Sequence, residues 1–280
     1  MNEGQGAATI QRILVAVDAS PPSFAALEAA AELAATLGAE LIVLFVEDIA
    51  LLRLAESPFA IEIGLSSGSV RQLNSQQMRR QLRAQANRVR RRLDRITEGW
   101  EIRSSFNVAR GAIDAEVIAA SSEADLVILG RMGWSGSKGL GSTAQAMASQ
   151  RQRPALIHAA RVKLKPQILV IYDGSDSAQR ALTMAAGLVT GQKGLLTVAI
   201  LAAGEEEAKN LQMESALWLR SRKLQSRYRW LLEADEGMIK TLMNIESECV
   251  LVLPGELPML EGERLTDLID ELKCPVMIVR

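Results

Sequence analysis

Short apolar runs alternate with longer amphipathic stretches along this chain, and the alternation runs through twice. Ile13–Val17 is apolar throughout, which suits a strand covered on both faces of a parallel sheet. Asp18-Ala-Ser-Pro-Pro follows as a turn, with Ser20 placed to cap a helix and proline tolerated in its first turn. Alanine-rich Phe24–Leu37 predicts that helix, and Gly38 ends it. Leu41–Val46 predicts a second strand. Residues 49–75 keep no period and are expected to form a loop with one short helical piece. Gln76–Ile96 predicts an amphipathic helix, its stripe made by Met78, Leu82, Ala86, Val89, Leu93 and Ile96. Strand Ile102–Val108, helix Ala112–Ser122, strand Asp125–Leu129, helix Thr143–Gln152 and strand Ala155–His158 complete the first pass.

The second pass repeats the first. Ile13-Leu-Val-Ala-Val-Asp-Ala-Ser returns as Ile168-Leu-Val-Ile-Tyr-Asp-Gly-Ser at an offset of 155, which holds for Ala26-Leu27 on Ala181-Leu182. This is the mark of a tandem duplication. Expected strands are Gln167–Tyr172, Leu195–Leu201, Arg229–Glu233, Val250–Leu253 and Val276–Val279. Expected helices are Ala178–Val189, Glu205–Gln225, Gly237–Ile245 and Leu265–Leu272. Alternating strands and helices predict βαβ units with right-handed crossovers and a parallel sheet covered on both faces. The fold expected is α/β: two tandem domains, 11–160 and 166–280, each a five-stranded mostly parallel sheet flanked by helices. In such sheets ligands sit outside the carboxyl ends of the strands, where strand order reverses. That rule gathers Asp18, Val46 and Gly130 around one crevice.

Composition narrows the function classes. The net charge of −1 gives no global drive toward nucleic acid or membrane, and two cysteines in 280 residues argue for a reducing compartment. The first residues have neither a basic start nor an apolar core, and no apolar run approaches the roughly 18 residues that span a bilayer. A cytoplasmic location is expected. His158 is the single histidine, so clustered metal ligands are not expected and nucleophile–histidine pairs are excluded elsewhere. No catalytic residue is assigned, and no Gly-x-x-x-x-Gly-Lys-Ser/Thr loop is present.

Three segments of the first half resemble the universal stress protein family, in its tandem form: Ile13-Leu-Val-Ala-Val-Asp18, Arg110-Gly-Ala-Ile-Asp-Ala-Glu-Val-Ile118 and Ala124-Asp-Leu-Val-Ile-Leu-Gly130. Gly133, Gly141-Ser142 and Pro154-Ala-Leu-Ile157 extend the match. The resemblance implies Rossmann-like domains. In the family's ATP-binding branch the phosphates lie on paired glycine motifs, which fall here on Gly130 with Gly133 and on Gly141 with Ser142. An aspartate near the adenine or ribose in that branch falls here on Asp18, and Ala16, Val17 and Val46 beside it are further candidate nucleotide contacts. The implied cofactor is ATP or a related adenine nucleotide, with Mg accompanying it. One departure stands out: seven residues separate Gly133 from Gly141, where the family pattern has nine.

The residues support that chemistry on their own terms. Glycines let backbone amides approach phosphate oxygens. The helix beginning at Thr143 favours an anion by roughly 0.3–1 kcal/mol. Ser142 and Thr143 add hydroxyls, and Arg131 and Lys138 add charge. The competing reading is a polar connection that holds nothing. Asp18 has a structural alternative, since Asp173 persists in the second half where the glycine loop is missing. There Pro254 replaces the first glycine and offers no amide proton, and Glu256, Glu261 and Glu263 would repel phosphate. No nucleotide is expected in that half.

Outside the crevice, Arg79, Arg80, Arg83, Arg88, Arg90, Arg91, Arg92 and Arg95 crowd one helix with only Asp94 opposing. The preferred reading is a solvated face; the other is docking of an acidic partner, with nucleic acid disfavoured by the absence of interleaved aromatics. Cys249 and Cys274 start adjacent strands and are expected to be inert thiols. The function expected is a stress-responsive regulator that binds adenine nucleotide in its first half. The alternative is a nucleotide-free adaptor acting through protein–protein contacts, and a weaker third reading is a slow ATPase with Asp18 as its carboxylate. The resemblance also suggests pairing of Ala155–His158 with Val276–Val279, as an intrachain pseudo-dimer or within a homo-oligomer. A protein partner of unknown identity completes the expectations.

Overall fold

The computed structural model describes residues 10–63, 68–132, 140–149, 153–158, 167–190, 194–232, 249–257 and 263–280. The first half comprises β1 (Arg12–Ala16), α1 (Pro21–Leu37), β2 (Glu40–Asp48), α2 (Ile49–Leu54), β3 (Ile61–Ile63), β4 (Val70–Gln72), α3 (Ser75–Thr97), β5 (Ser104–Gly111), α4 (Ile113–Ser121), β6 (Leu126–Gly130), α5 (Ser142–Ser149) and β7 (Ala155–His158). The second comprises β8 (Gln167–Tyr172), α6 (Asp176–Thr190), β9 (Leu195–Ala202), α7 (Glu205–Ser221), β10 (Ser226–Leu232), β11 (Val250–Pro254), α8 (Glu263–Glu271) and β12 (Val276–Val279).

The caps that the sequence signals are made. Ser20 Oγ accepts from Ser23 N at 3.3 Å at the start of α1, and Gly38 closes that helix in the left-handed region at φ 66°. Asn74, not named as a cap from sequence, caps α3 by accepting from Gln76 N at 2.8 Å.

Ten strands form one sheet in the order β10-β9-β8-β11-β12-β7-β6-β1-β2-β5. Counted outward from the middle, each half runs fifth, fourth, first, second, third strand. The neighbours are parallel except β12 and β7, which pair antiparallel with Met277 opposite Leu156. The fifth strands thus meet within one chain, and neither presents an open edge there.

Strand alternation sorts the core into two layers. Ile13 and Val15 of β1 face a cluster with Leu27, Leu82, Leu182 and Leu219, from α1, α3, α6 and α7. Leu14 faces the other side, with Val117, Met147 and Leu268 from α4, α5 and α8. Both clusters draw on both halves. Each buried leucine contributes roughly 1.5–3 kcal/mol, so the halves stabilise one another across the shared sheet.

Some element boundaries differ from expectation. The third strand runs Ser104–Gly111, later than Ile102–Val108, because its ladder with β2 continues to Asp48 and Gly111. There the Arg110 guanidinium donates twice to Glu47 Oε2, at 2.9 and 2.6 Å, and keeps a polar strand end in the ladder. The segment expected as a loop with one short helical piece holds α2, as expected, and an unexpected antiparallel hairpin of β3 with β4. Its apolar side chains Phe59, Ile61, Ile63 and Val70 point to solvent, so no buried alternation announced it. In the second half α7 stops at Ser221, and Lys223 turns at φ 59° into β10, which starts three residues before the expected Arg229. The helix expected over Gly237–Ile245 lies outside the described residues, as do Gly133, Lys138, Glu261 and the last residues of the expected Thr143–Gln152 helix.

Candidate functional site

The strand order of the first half reverses between β1 and β6, and a cavity of about 560 Å³ opens there. β1 runs out through Ala16 to Val17 and Asp18, β2 through Val46 to Asp48, and β6 to Gly130, and all of these line it. Gly141, Ser142 and Thr143 line it from the start of α5. Helix α3 covers it with Met78, Gln81, Leu82 and Gln85, and α4 adds Ile113 and Val117. The volume lies in the range of small-molecule sites, and the wall is mainly apolar with polar groups at its ends.

Three of the cavity's polar side chains, Asp18, Asp48 and Thr143, have structural partners. Asp18 Oδ1 accepts from Ser20 N at 2.9 Å and braces the turn from β1 into α1. Asp173 Oδ1 does the same for Ser175 N at 3.0 Å, so this part of the aspartate's work is common to both halves. The turns match as well: Ala19 has φ 63° and Gly174 φ 80°. Asp48 caps α2 by accepting from Ala50 N at 2.8 Å. Thr143 Oγ1 donates to Asp114 Oδ1 at 2.7 Å, tying the start of α5 to the first turn of α4. Asp114 was not singled out from sequence. Its place two residues after Ala112, in the segment matching the family, was the available signal.

The glycine segment behaves differently from expectation in two places. Gly141 N donates to Arg131 O at 2.9 Å, and Leu140 N donates to Asp270 Oδ2 at 3.1 Å. These two amides therefore hold the loop's own ends. The amides of Ser142, Thr143 and Ala144 lie in the first turn of α5 and have no intrahelical acceptor, the position at which a helix can receive an anion. Gly130 is also explained by packing: a Cβ there would lie 3.2 Å from the Pro22 carbonyl carbon and 3.3 Å from Ser23 N, against the start of α1.

Arg131 is a correction. It does not line the cavity. Its guanidinium turns to the second half and donates to Cys274 O at 3.3 Å and Asp270 O at 3.5 Å, at the end of α8. Carbonyls at a helix C-terminus attract a cation, and the apolar cavity wall does not. Burial draws Arg131 below its ordinary pKa, while the Asp270 carboxylate pushes it back up. Among the described residues lining the cavity there is no lysine or arginine.

The corresponding place in the second half is occupied by the protein itself. Tyr172 stands where the first half has Val17. It is fully buried, and its hydroxyl lies 3.2 Å from Gln179 Oε1 on α6 and 3.3 Å from Glu214 Oε1 on α7. Burial pushes its phenol well above the ordinary tyrosine range, and the Glu214 carboxylate raises it further. Helix α7 also closes on the turn: a Cβ on Gly174 would lie 2.5 Å from Leu211 Cδ2. Glu256 forms an ion pair with Arg180 at 3.6 Å.

The arginine-rich helix α3 finds more opposing charge than its own sequence holds. Arg92 pairs with Glu28 of α1, and Arg79 with Glu56 at 3.2 Å. Arg90 lies over the Phe106 ring at 5.4 Å. His158 is buried in β7, and its carbonyl accepts from Arg131 N at 3.1 Å.

Comparisons with known proteins agree with this architecture. The profile of the universal stress protein family matches residues 9–157. The chain belongs to that family. A universal stress protein from Archaeoglobus fulgidus DSM 4304 has a similar fold, with a TM-score of 0.72 and 19% identity over 95% of this chain and 97% of that one. A functionally unknown protein from Pseudomonas aeruginosa PAO1 gives 0.55 and 16% over 96% and 92%. Both likenesses extend through the second half, beyond the residues the family profile matches. No curated protein matches the chain. Among the described residues, no helix is long and apolar enough to cross a membrane.

Proposed function

We propose that the chain is a stress-responsive regulator whose first half, residues 11–160, binds an adenine nucleotide, while the second half, residues 166–280, binds none. The observation that carries this is the asymmetry between two equivalent places: an open cavity beside Val17, and a buried Tyr172 in its stead. The donor set suits such a ligand. Apolar Val17, Val46 and Met78 offer a slot for a base, Asp18 an acceptor for ribose hydroxyls, and the first amides of α5 with Ser142 and Thr143 a seat for phosphate. The described residues hold no group of acidic, histidine or cysteine side chains that would bind a metal, so Mg would enter on the phosphates.

A nucleotide-free adaptor is the second reading. It is favoured by the engagement of the Leu140 and Gly141 amides and by the turning away of Arg131. Nucleotide released from freshly purified protein, together with calorimetric titration of ATP, AMP and adenosine, separates the two. Val46→Trp fills the cavity from β2 and should abolish binding. A ligand present at about 100 times its Kd stabilises by about 2.7 kcal/mol, so wild type should melt higher with ligand and Val46→Trp should not. No released nucleotide and no thermal shift would transfer the function to the adaptor reading. Binding that survives Val46→Trp would move the site elsewhere.

A further inference from the structure

The second half carries a pair of thiols that the cavity does not use. Cys249 immediately precedes β11, and Cys274 lies two residues before β12. The ladder between these strands pairs Leu251 with Val276 and runs to Pro254 with Val279. Leu251 N donates to Pro275 O at 3.0 Å, so bonding begins on the residue after Cys274. Carried back two residues, the same register sets Cys249 directly across from Cys274. Neighbouring strands lie about 4.8 Å apart, inside the Cα separation of about 4.4–6.8 Å that a disulfide spans. Cys274 is buried and Cys249 is half-buried.

The surroundings favour the thiolate of Cys274, the sulfur that closes the bond. Arg131 reaches across from the first half and donates to the Cys274 carbonyl at 3.3 Å. Asp270, one helical turn before Cys274, carries the opposing charge on the same side. We propose that Cys249 and Cys274 are a peroxide-oxidisable dithiol that closes to an intrachain disulfide. The hydrogen bond from Cys249 lowers the Cys274 thiol, burial opposes this, and the Arg131 charge lowers it further. The inert pair expected from sequence alone lacked this arginine, which lies far away in the chain and next to the thiols in space.

The reaction balances with hydrogen peroxide as the oxidant. The sulfur of half-exposed Cys249 attacks one peroxide oxygen, the O–O bond breaks, and water leaves, giving a sulfenic acid. Cys274 Sγ then displaces that oxygen as a second water and forms the S–S bond. The two thiol protons leave in the two waters, the sulfurs together lose two electrons, and the peroxide gains them. Because Arg131 and Leu140 both anchor on this corner, the bond forms where the two ends of the first half's glycine loop are held.

The test uses the full-length reduced protein, treated with hydrogen peroxide while folded. Thiols are counted after denaturation, and unreduced peptides are mapped by mass. The expected result is loss of both thiols together and one peptide pair linking Cys249 to Cys274, lighter by about 2 Da than its reduced parts. Dithiothreitol should restore both thiols, and the chain should stay monomeric on a non-reducing gel. In Cys249→Ser the linked peptide must vanish while Cys274 stays countable as a thiol. Two thiols that persist, cysteines oxidised separately to sulfinic acids, or disulfides between chains would each overturn the proposal.

Discussion

Ionisation of Tyr172 tests the account of the closed second half directly. The chain has two tyrosines, so in a Tyr228→Phe background the phenol of Tyr172 is the sole tyrosine chromophore. An unfolded tyrosine ionises near pH 10, at about its model value. In the folded protein, burial and the Glu214 carboxylate hold the proton well beyond that. The sign follows from linkage. Above pH ~10 the unfolded chain loses a proton that the folded chain keeps, so stability falls with rising pH until the folded phenol ionises. The slope from this one group is about 1.4 kcal/mol per pH unit, or about 2 kcal/mol between pH 10 and 11.5. Below pH ~9 the group contributes no slope. Tyr172→Phe removes the slope at high pH and costs about 1 kcal/mol at neutral pH, because one hydroxyl bond is lost while exposed Glu214 returns to water. The assay is ultraviolet titration of the phenolate alongside circular dichroism, with urea melts at several pH values. Phenolate should appear only as the fold is lost. Phenolate appearing near pH 10 with the circular dichroism intact would show that the hydroxyl is not sealed in the second half, and the asymmetry argument would fail.

Two further substitutions probe the turns and the cavity floor. Gly174→Ala places a side chain at φ 80° and against Leu211, and should destabilise by about 1–2 kcal/mol; a neutral effect in denaturant melts would mean that α7 does not close on that turn. Asp114→Ala removes the acceptor for Thr143 and should cost about 1 kcal/mol, with at least severalfold weaker ligand binding if the start of α5 is the phosphate seat. Unchanged stability in melts would show that the Asp114 contact does not hold α5.

The sheet was legible because parallel strands buried on both faces leave continuous apolar runs. Ile13–Val17 and Val250–Leu253 could not be mistaken for surface. The internal repeat added what periodicity cannot, because the same run at one offset fixes the same element twice. Legibility failed where side chains turn to solvent or where partners come from far away in the chain. The β3–β4 hairpin exposes Ile61, Ile63 and Val70, so its apolar residues carried no signal of burial. Arg131 sat in a glycine-rich segment and was read as a phosphate ligand. Its acceptors, Asp270 and Cys274, follow it by well over a hundred residues. Gly130 lines the cavity as the strand order predicts, and its close approach to the start of α1, a second reason for a small residue there, comes from packing that the sequence does not display. Asp18 was the better-judged case: the second copy, Asp173, showed that part of its role survives without the loop, and both make the same turn bond.

The two halves keep one strand order and differ at their crevices. In a sheet closed through β7 and β12, each half keeps its strand order, so a residue change at one crevice leaves the framework intact. The second half has used that freedom to fill its crevice with Tyr172 and to close α7 over the turn. It has also supplied a corner, Asp270 to Cys274, on which the first half's loop ends rest through Leu140 and Arg131. Here the residues flanking the loop, Arg131 and Leu140, bond to the end of α8 and the residues just after it, next in sequence to Gly130 and Gly141, which line the cavity. Coupling of this kind requires that occupancy of the cavity and the state of that corner bias the same two arrangements, which Arg131→Gln, measured for ligand affinity and for thiol oxidation rate in the same protein, should alter together.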